Sequence, residues 1–281
     1  MKRVRRELRS ALAVLLPAAS AIASVSAVAQ PPPGLPATTS PREQAPIDIT
    51  GQWVAVVNED WRWRMVTPPI GDTVSLPVNE RARAAAAAWD LERDRAEGAL
   101  CKAFAGPGLM RQPTRIRIEW EDDDTLRLDF DAGRQVRRFE FVRQPTAERS
   151  LQGHSEAQWF RQTQSRGVFG ARTPPEGGSL VVRTTQLTGG YLRPNGVPFG
   201  ERATVKEFFS TFTLAGDAGA WLVVTTVVAD PEYLTTELVM STQFKKEAGR
   251  GAWNPRPCEI EPPLRGPAPT PENPFAAAAS D

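Results

Sequence analysis

Strict alternation of apolar and charged residues constrains the fold of this chain more than any other feature. Residues 115–131 read RIRIEWEDDDTLRLDFD, in which apolar residues alternate with charged ones from Ile116 to Trp120 and again from Leu126 to Phe130. A period of two places successive side chains on opposite faces of a β-strand. The segment therefore predicts a hairpin with one buried face and one solvated face, closed by a polar turn.

Similar runs recur along the chain. They occupy residues 49–57, 61–65, 135–142, 179–187, 203–215, 220–230 and 235–246, and pairs of Gly, Asp and Pro separate several of them. The run 221–228 is apolar or threonine on both faces, which is typical of a strand covered on both sides. Helices do not alternate with these runs, so a parallel α/β sheet is not expected. We predict a mainly β fold: a single antiparallel barrel, or a strongly curved sheet, of about nine strands with one accessory helix.

The accessory helix is predicted over residues 77–104. Pro77 suits a first helical turn, and the alanine run that follows has a high helix propensity. A second, short helix is predicted within 155–162. It belongs to a long connection, residues 143–178, that is equally typical of a binding loop and of a flexible insertion.

The two ends of the chain predict segments outside the folded domain. Residues 1–29 combine a basic start, an apolar stretch and a small-x-small ending, AVA, which together are typical of a cleaved signal peptide. A paired arginine in the basic start leaves twin-arginine export open beside the general route. Residues 30–47 and 262–281 are rich in proline and predict a disordered linker and a disordered tail. The domain between them, 48–261, is long enough for one sizeable core or two small ones.

These features predict a periplasmic or secreted protein. No later segment has the roughly 20 apolar residues that a membrane span requires, so no integral span is expected after cleavage. The whole chain carries a net charge of +1 and the segment 1–29 carries +4, which leaves −3 on the exported remainder. This mildly acidic balance gives no reason to expect nucleic acid as a partner. The sequence leaves the oligomeric state open.

Cysteine and histidine content limits the chemistry. Cys101 and Cys258 are the only cysteines, and in an oxidising compartment two cysteines most simply form one disulfide, with a reactive thiol as the alternative. With two cysteines and the single histidine His154, a zinc site is not expected, and we predict no metal. The sequence holds neither a P-loop nor a dinucleotide fingerprint, so no cofactor is predicted.

The stretch ITGQWVAVVNEDWRWRM, residues 49–65, holds most of the candidate site residues. If it forms one continuous strand, period two places seven side chains on one inner face: Trp53, Ala55, Val57, Glu59, Trp61, Trp63 and Met65. A carboxylate such as Glu59, buried among aromatic rings, is suited to act as a general acid or base. The alternative is a turn at 58–60 that leaves Glu59 at a barrel rim, because Asn and Asp favour turns. Arg62 and Arg64 are expected to pair with nearby acids or, alternatively, to bind an anionic ligand.

Two loops predict polar partners for such a site. Tyr191 lies in GGYLRPNGVPFG together with Arg193, and Tyr233, the other tyrosine, joins two late strands. Because a tyrosine hydroxyl at a barrel mouth can donate a hydrogen bond to a ligand, Tyr191 and Arg193 are candidate ligand-binding residues. Tyr233 is the candidate catalytic partner of Glu59. The alternative is that both tyrosines only cap a barrel end.

One motif resembles a known family. Gly51-x-Trp53 at the start of the first strand resembles the G-x-W signature of lipocalins, and Lys245-Lys246 closes the last long strand about where that family keeps a basic residue near the tryptophan. A meander of eight or more strands agrees with this lipocalin-like, calycin-type resemblance. It implies an exported barrel with a cavity for a small apolar ligand. The resemblance covers the strands but not the helix at 77–104, and the C-terminal helix typical of the family is not evident.

Three functions are consistent with these features. The first is an exported protein that holds a small apolar or aromatic molecule in a β-barrel cavity. The second is a cofactor-independent isomerase, lyase or cyclase that uses Glu59 as acid or base. The third is an envelope interaction protein whose barrel is filled solid by side chains. A cavity separates the first two from the third, and a carboxylate that reaches into the cavity separates the second from the first.

Overall fold

Nine β-strands close into a barrel, and two more form a separate hairpin. The structure is a computed structural model that describes residues 39–142, 148–161, 177–216, 219–249 and 251–268. In chain order the strands are β1 (Gly51–Val56), β2 (Arg115–Trp120), β3 (Thr125–Phe130), β4 (Val136–Glu140), β5 (His154–Arg161), β6 (Gly178–Thr185), β7 (Gly190–Arg193), β8 (Val197–Phe199), β9 (Thr204–Thr213), β10 (Ala220–Ala229) and β11 (Leu238–Lys246). The barrel order is β1-β11-β10-β9-β6-β5-β4-β3-β2, with β2 paired back to β1, whereas β7 and β8 pair only with each other. The predicted mainly β fold of about nine strands is confirmed.

The barrel is mixed rather than strictly antiparallel, which corrects the predicted topology. β4 and β5 run parallel and pair at two positions, Phe139 with Ser155 and Glu140 with Glu156. The other neighbouring barrel strands are antiparallel. A parallel pair requires a crossover in place of a tight turn. Residues 141–153 separate β4 from β5, so a tight turn does not join the two strands.

The hairpin predicted over 115–131 is confirmed as β2 and β3. Ile118 lies opposite Leu128, and both side chains are fully buried. On the outer face Arg127 donates a hydrogen bond to Asp129 at 2.8 Å. The alternation read from the sequence therefore assigns each residue to the correct face.

Inward side chains fill the barrel. The largest fully buried ones come from strands around the whole barrel and include Trp53, Phe130, Phe139, Phe209 and Phe244. They belong to one contiguous apolar cluster. In β10 buried positions alternate with partly exposed ones, so this strand is buried on one face and not on both, as had been predicted from 221–228.

One ion pair lies within this apolar interior. Arg137 donates from Nη1 and Nη2 to the two carboxylate oxygens of Glu207, at 3.0 and 2.5 Å. Nη2 also lies 3.2 Å from Oγ1 of Thr184. Buried charges are retained in proteins only when they are paired and hydrogen-bonded in this way.

Helices are short in the part of the chain that the structure describes. They are α1 (Trp61–Arg64), α2 (Glu80–Ala87), α3 (Leu91–Ala96) and α4 (Gly106–Leu109). The region predicted as one helix, 77–104, holds α2, α3 and a 3₁₀ turn at Leu100–Phe104. Asp90 divides it, because its backbone is extended and its carboxylate caps α3 by accepting from the N–H groups of Glu92 and Arg93. Gly98, with φ +67°, follows the end of α3.

The short helix predicted within 155–162 is instead part of strand β5. Ser155 and Ala157 are buried between more exposed neighbours, which is the period of a strand, and β6 pairs with β5 along its whole length. A short apolar run does not distinguish a helix from a strand by periodicity. The rest of the long connection, at 143–147 and 162–176, and the predicted signal peptide lie outside the described residues.

The two barrel ends are covered by different segments. At the end where β1 finishes and β11 starts, α2 and the β7–β8 hairpin form a second apolar cluster with barrel residues such as Val205 and Val228. At the opposite end Trp159 packs against Phe141 with ring centroids 5.4 Å apart, and its Nε1 donates to the carbonyl of Pro41 at 2.7 Å. The described part of the linker predicted as disordered over 30–47 therefore contacts the barrel.

The predicted disulfide is confirmed. Cys101 and Cys258 are bonded, with Cα atoms 5.1 Å apart, and are separated by 157 positions in the sequence. The bond joins the segment that follows β11 to the 3₁₀ turn at Leu100–Phe104. None of the helices in the described ranges is long and apolar enough to cross a membrane.

Candidate functional site

The stretch 49–65 turns at its centre. β1 ends at Val56, and Asp60 has a left-handed backbone, φ 53°, immediately before α1. Of the two alternatives, the turn at 58–60 is therefore the one formed, and Glu59 does not lie on the inner face of a continuous strand. Asp is one of the few residues that adopt this conformation readily, because its short side chain can bond locally.

Helix α1 buries one of its two arginines. Arg64 points inward, where its Nη1 donates to Glu59 at 2.7 Å and its Nε donates to the carbonyl of Arg111 at 2.9 Å. Trp61 and Met65 point outward and are 65 % and 54 % exposed. The alternating sequence therefore forms a short helix in which Arg64 is buried and Trp61 is exposed, and the exposed Met65 follows directly.

Arg111 connects this turn to the barrel wall. Its Nη2 donates to Asp60 at 2.6 Å, and its Nη1 donates to the carbonyl of Ser241 in β11 at 2.6 Å. Nη1 also lies 3.4 Å from Glu59. Arg111 follows α4, so three distant parts of the chain meet at its guanidinium group.

The β7–β8 hairpin contributes a third buried arginine. Arg193 lies over Trp63, with its Cζ 4.5 Å from the ring centroid. Trp63 in turn donates from Nε1 to Oδ2 of Asp72 at 3.1 Å. The carboxylate of Asp72 lies 3.9 Å from Nη1 of Arg193, which is too long for a hydrogen bond.

These residues surround a cavity of about 110 Å³, which we call the arginine pocket. One wall is charged or polar and the other is apolar. The lining residues are Asp60, Trp63, Arg64, Ser75, Leu76, Gly108, Arg111, Gln112, Leu192, Arg193, Pro194, Leu238, Val239 and Met240. A second cavity of about 140 Å³ shares Arg64, Gln112 and Pro194 with it and adds the apolar side chains of Met65, Val66, Phe104 and Ile260.

Burial governs the electrostatics of the arginine pocket. It lowers the pKa of Arg193 to about 10, although Asp72 and Asp60 act against the shift. Burial and the nearby Arg111 guanidinium lower the pKa of Arg64 to about 10 as well. All of these groups remain cationic at neutral pH. Nη2 of Arg64 and Nη1 of Arg193 are buried and have no hydrogen-bond partner.

The structure brings only some of the predicted site residues together. Trp63 and Arg193 line the arginine pocket, whereas Trp61, at the start of α1, and Met65, directly after it, are exposed and do not line the pocket. Tyr191 points elsewhere, since its hydroxyl donates to Asp94 at 2.8 Å. Burial, followed by this bond, raises the pKa of Tyr191 well above its usual range.

The two proposed catalytic residues lie in different surroundings. Glu59 forms ion pairs with Arg64 and Arg111. Tyr233 lies beside Arg81 of α2, whose Cζ is 5.2 Å from its ring centroid, and burial followed by Glu232 raises the pKa of Tyr233. Neither residue lines the arginine pocket, and their catalytic role stays a prediction.

Trp53 is part of the barrel core. Its Nε1 donates to the carbonyl of Ile49 at 2.9 Å, and the Nζ of Lys246 lies 5.3 Å from its ring centroid. Lys246 is also the residue paired with Trp53 across β1 and β11. The basic residue therefore lies next to the tryptophan of the G-x-W motif, as the resemblance implied.

The sequence did not indicate Arg111, which lines the pocket, or Asp72, which lies behind Trp63 and outside the lining. Arg111 is 51 positions from Asp60 and 130 from Ser241, so no local pattern connects them. The sequence signal for this site is the pair of acids and the pair of arginines in NEDWRWR. This stretch holds Glu59, Asp60 and Arg64 of the ion-pair network but not Arg111.

The closed nine-stranded barrel is compatible with a calycin-like fold. No protein-family model, curated protein or solved structure matches the chain. Membership of the lipocalin family is therefore not shown, and the barrel by itself specifies no ligand, because one fold supports many functions.

Proposed function

We propose that this is an exported small-molecule-binding protein whose ligand site is the arginine pocket rather than the barrel interior. The observation that carries the proposal is the convergence, around one cavity, of a tryptophan, buried guanidinium groups and an apolar wall. Ligand sites are typically concave and mostly apolar, with a few placed polar groups that orient the ligand.

The location at a barrel end follows from the packing of the core. The inward aromatic and aliphatic side chains are fully buried against one another. Protein interiors are packed about as tightly as organic crystals, so a ligand would have to displace side chains in order to enter there. The arginine pocket, by contrast, lies where the chain leaves the barrel, and Val239 on its rim is 61 % exposed.

Export is the second part of the proposal. It is supported by the signal-like segment 1–29 and by the disulfide, because disulfides persist in oxidising compartments. N-terminal sequencing of the protein released by its host is expected to begin at Gln30. A mature chain that retains Leu15 and Leu16 would contradict export by cleavage.

Native mass spectrometry of the exported protein tests the binding function. We expect a retained small molecule, and we expect Val239→Trp to weaken its binding by about tenfold or more, because an indole at this position would obstruct the pocket. Val142→Trp is the matched control, since Val142 is a similarly exposed valine, 52 % accessible, that does not line the pocket.

If Val142→Trp also loses the ligand, or if both variants retain it equally, the ligand does not bind in the arginine pocket. A wild-type protein that retains nothing and is not stabilised by any compound of a metabolite panel would remove the binding function. A ligand at a hundred times its dissociation constant raises the free energy of unfolding by about 2.7 kcal/mol, so thermal shifts detect it readily.

A further inference from the structure

Two buried guanidinium ends in the arginine pocket are not satisfied by the protein. Nη2 of Arg64 and Nη1 of Arg193 are buried without a hydrogen-bond partner. Buried donors are paired in the great majority of native proteins, and an unpaired one calls for a ligand, an ion or a water as the explanation. Because the donors are guanidinium N–H groups, the missing partner is an acceptor.

The nearby acids do not supply that acceptor. Glu59 pairs with Nη1 of Arg64, on the other arm of the guanidinium group, and Asp60 pairs with Arg111. Asp72 already accepts from the backbone N–H of Val74 and from Trp63. Arg193 therefore stacks on the Trp63 ring and forms an ion pair with Asp72 at 3.9 Å, but its Nη1 has no hydrogen-bond acceptor.

We infer that the arginine pocket binds the carboxylate of a small amphipathic monoanion through Arg64 and Arg193. This inference rests on the proposed function and specifies its ligand class. A guanidinium group matches a carboxylate geometrically, since two parallel N–H groups meet two oxygens.

The charge of the pocket favours one negative charge over two. Arg64, Arg111 and Arg193 are largely offset by Asp60, which lines the same cavity, and by Glu59 and Asp72 beside it, so little net positive charge remains to hold a dianion such as a phosphate. The cavity of about 110 Å³ is also well below the roughly 300 Å³ at which drug-sized ligands begin, so it suits a head group and a few carbons.

The apolar part of the ligand has a place beside the head group. The second cavity shares Arg64, Gln112 and Pro194 with the arginine pocket and is lined by Met65 and Val66. Met65 is more than half exposed in the free protein. A short hydrocarbon chain there would cover apolar surface that otherwise faces water, which favours binding.

The test compares hexanoate with its uncharged methyl ester, methyl hexanoate, and with inorganic phosphate, using calorimetry or quenching of tryptophan fluorescence. We expect hexanoate to bind about tenfold or more tightly than the ester, because a charge-assisted bond to guanidinium is lost. This comparison needs only the wild-type protein. If the ester binds as tightly as hexanoate, or if phosphate binds more tightly, the inference that the pocket binds a carboxylate is wrong.

Variants localise the contact. Arg193→Gln is expected to weaken the binding of hexanoate about 10- to 100-fold and to leave the binding of methyl hexanoate unchanged. Arg193→Lys keeps the positive charge but loses the paired N–H groups, so its affinity for hexanoate is expected to lie between those of the wild type and Arg193→Gln. The control is Arg81→Gln, because Arg81 is exposed, pairs with Glu232 and does not line the pocket. Unchanged hexanoate affinity in Arg193→Gln refutes the inference.

The same data separate this inference from the proposed function. If the exported protein retains a neutral molecule that Val239→Trp releases, the proposed binding function is supported and the inference of a carboxylate ligand is wrong. If hexanoate does not bind and no ligand is retained, both proposals fail together.

Discussion

Replacing Glu207 by Gln tests how the barrel interior tolerates charge. The side chains of Arg137 and Glu207 are 1 % and 0 % exposed, and their two hydrogen bonds are 3.0 and 2.5 Å long. In Glu207→Gln the guanidinium group of Arg137 keeps a polar neighbour but loses its counter-ion. It also remains close to the ring of Phe139, with Cζ 4.9 Å from the centroid, where water cannot replace the lost partner.

We expect Glu207→Gln to lower the free energy of unfolding by about 3–5 kcal/mol, the usual cost of leaving one partner of a buried ion pair uncompensated. Domains are typically stable by only about 5–15 kcal/mol, so the loss is a large fraction of the total. The assay is equilibrium unfolding in urea, in which the midpoint falls while the slope is unchanged, because the surface exposed on unfolding is the same.

Two control variants test whether the loss of stability comes from an uncompensated buried charge. The neighbouring pair of Arg138 and Glu121 lies on the outer surface, so Glu121→Gln is expected to cost less than about 1 kcal/mol. The double variant Arg137→Met with Glu207→Leu removes both charges and is expected to recover most of the loss. A cost for Glu207→Gln equal to that of Glu121→Gln, or no recovery in the double variant, would refute the account of an uncompensated buried charge.

Three further predictions concern other parts of the molecule. Replacing Cys101 and Cys258 by serine is expected to lower the free energy of unfolding by up to about 5 kcal/mol, measured in urea, because the bond closes a loop of 157 positions in the unfolded chain. Tyrosinate absorbance is expected to rise only above pH 10 in the native protein, because burial raises the pKa of both Tyr191 and Tyr233. The stability that these raised pKa values contribute is fully present below pH 10, which is the pKa of tyrosine in the unfolded chain. It is lost as the pH rises through the pKa values of the folded protein. Titration of both tyrosines at pH 10 before the protein unfolds would contradict this prediction. Glu59→Gln is expected to cost about 1–2 kcal/mol in thermal unfolding, because it weakens the pairing of two arginines at a partly exposed site, and a variant as stable as the wild type would show that these pairs contribute nothing.

Alternation identified the barrel strands because burial on one face enforces a period of two. It failed where that period competes with local capping. Asp90 followed by Leu-Glu-Arg is an N-cap signal inside a run with high helix propensity, and the cap divides the predicted helix. At Asp60 the left-handed backbone, without a capping bond from the side chain, turns the chain, and helix α1 begins directly after it. Period two alone assigned Trp63 and Met65 to a common inner face that does not form.

The parallel pairing of β4 and β5 could not be read from the sequence for a different reason. Direction depends on where a long connection delivers the next strand, and that connection begins with residues whose periodicity is weak. The same holds for the arginine pocket, which joins a turn after β1, the segment after α4 and a hairpin outside the barrel. Only closure of the barrel brings Asp60 next to Arg111 and the start of β11.

This closure gives the pocket arginines different roles. Arg111 donates to Asp60 on one side and to the backbone of Ser241 in β11 on the other, so its hydrogen-bonding capacity is used in holding the turn against the barrel wall. Arg193 lies over an aromatic ring, and Asp72 is 3.9 Å from its Nη1, too far for a hydrogen bond, so that N–H group is left without an acceptor. Burial depresses the pKa of Arg193 because it disfavours the charged form of the guanidinium group. An acceptor supplied by a bound anion would complete Nη1 of Arg193, and this is the role that we propose for the ligand of the arginine pocket.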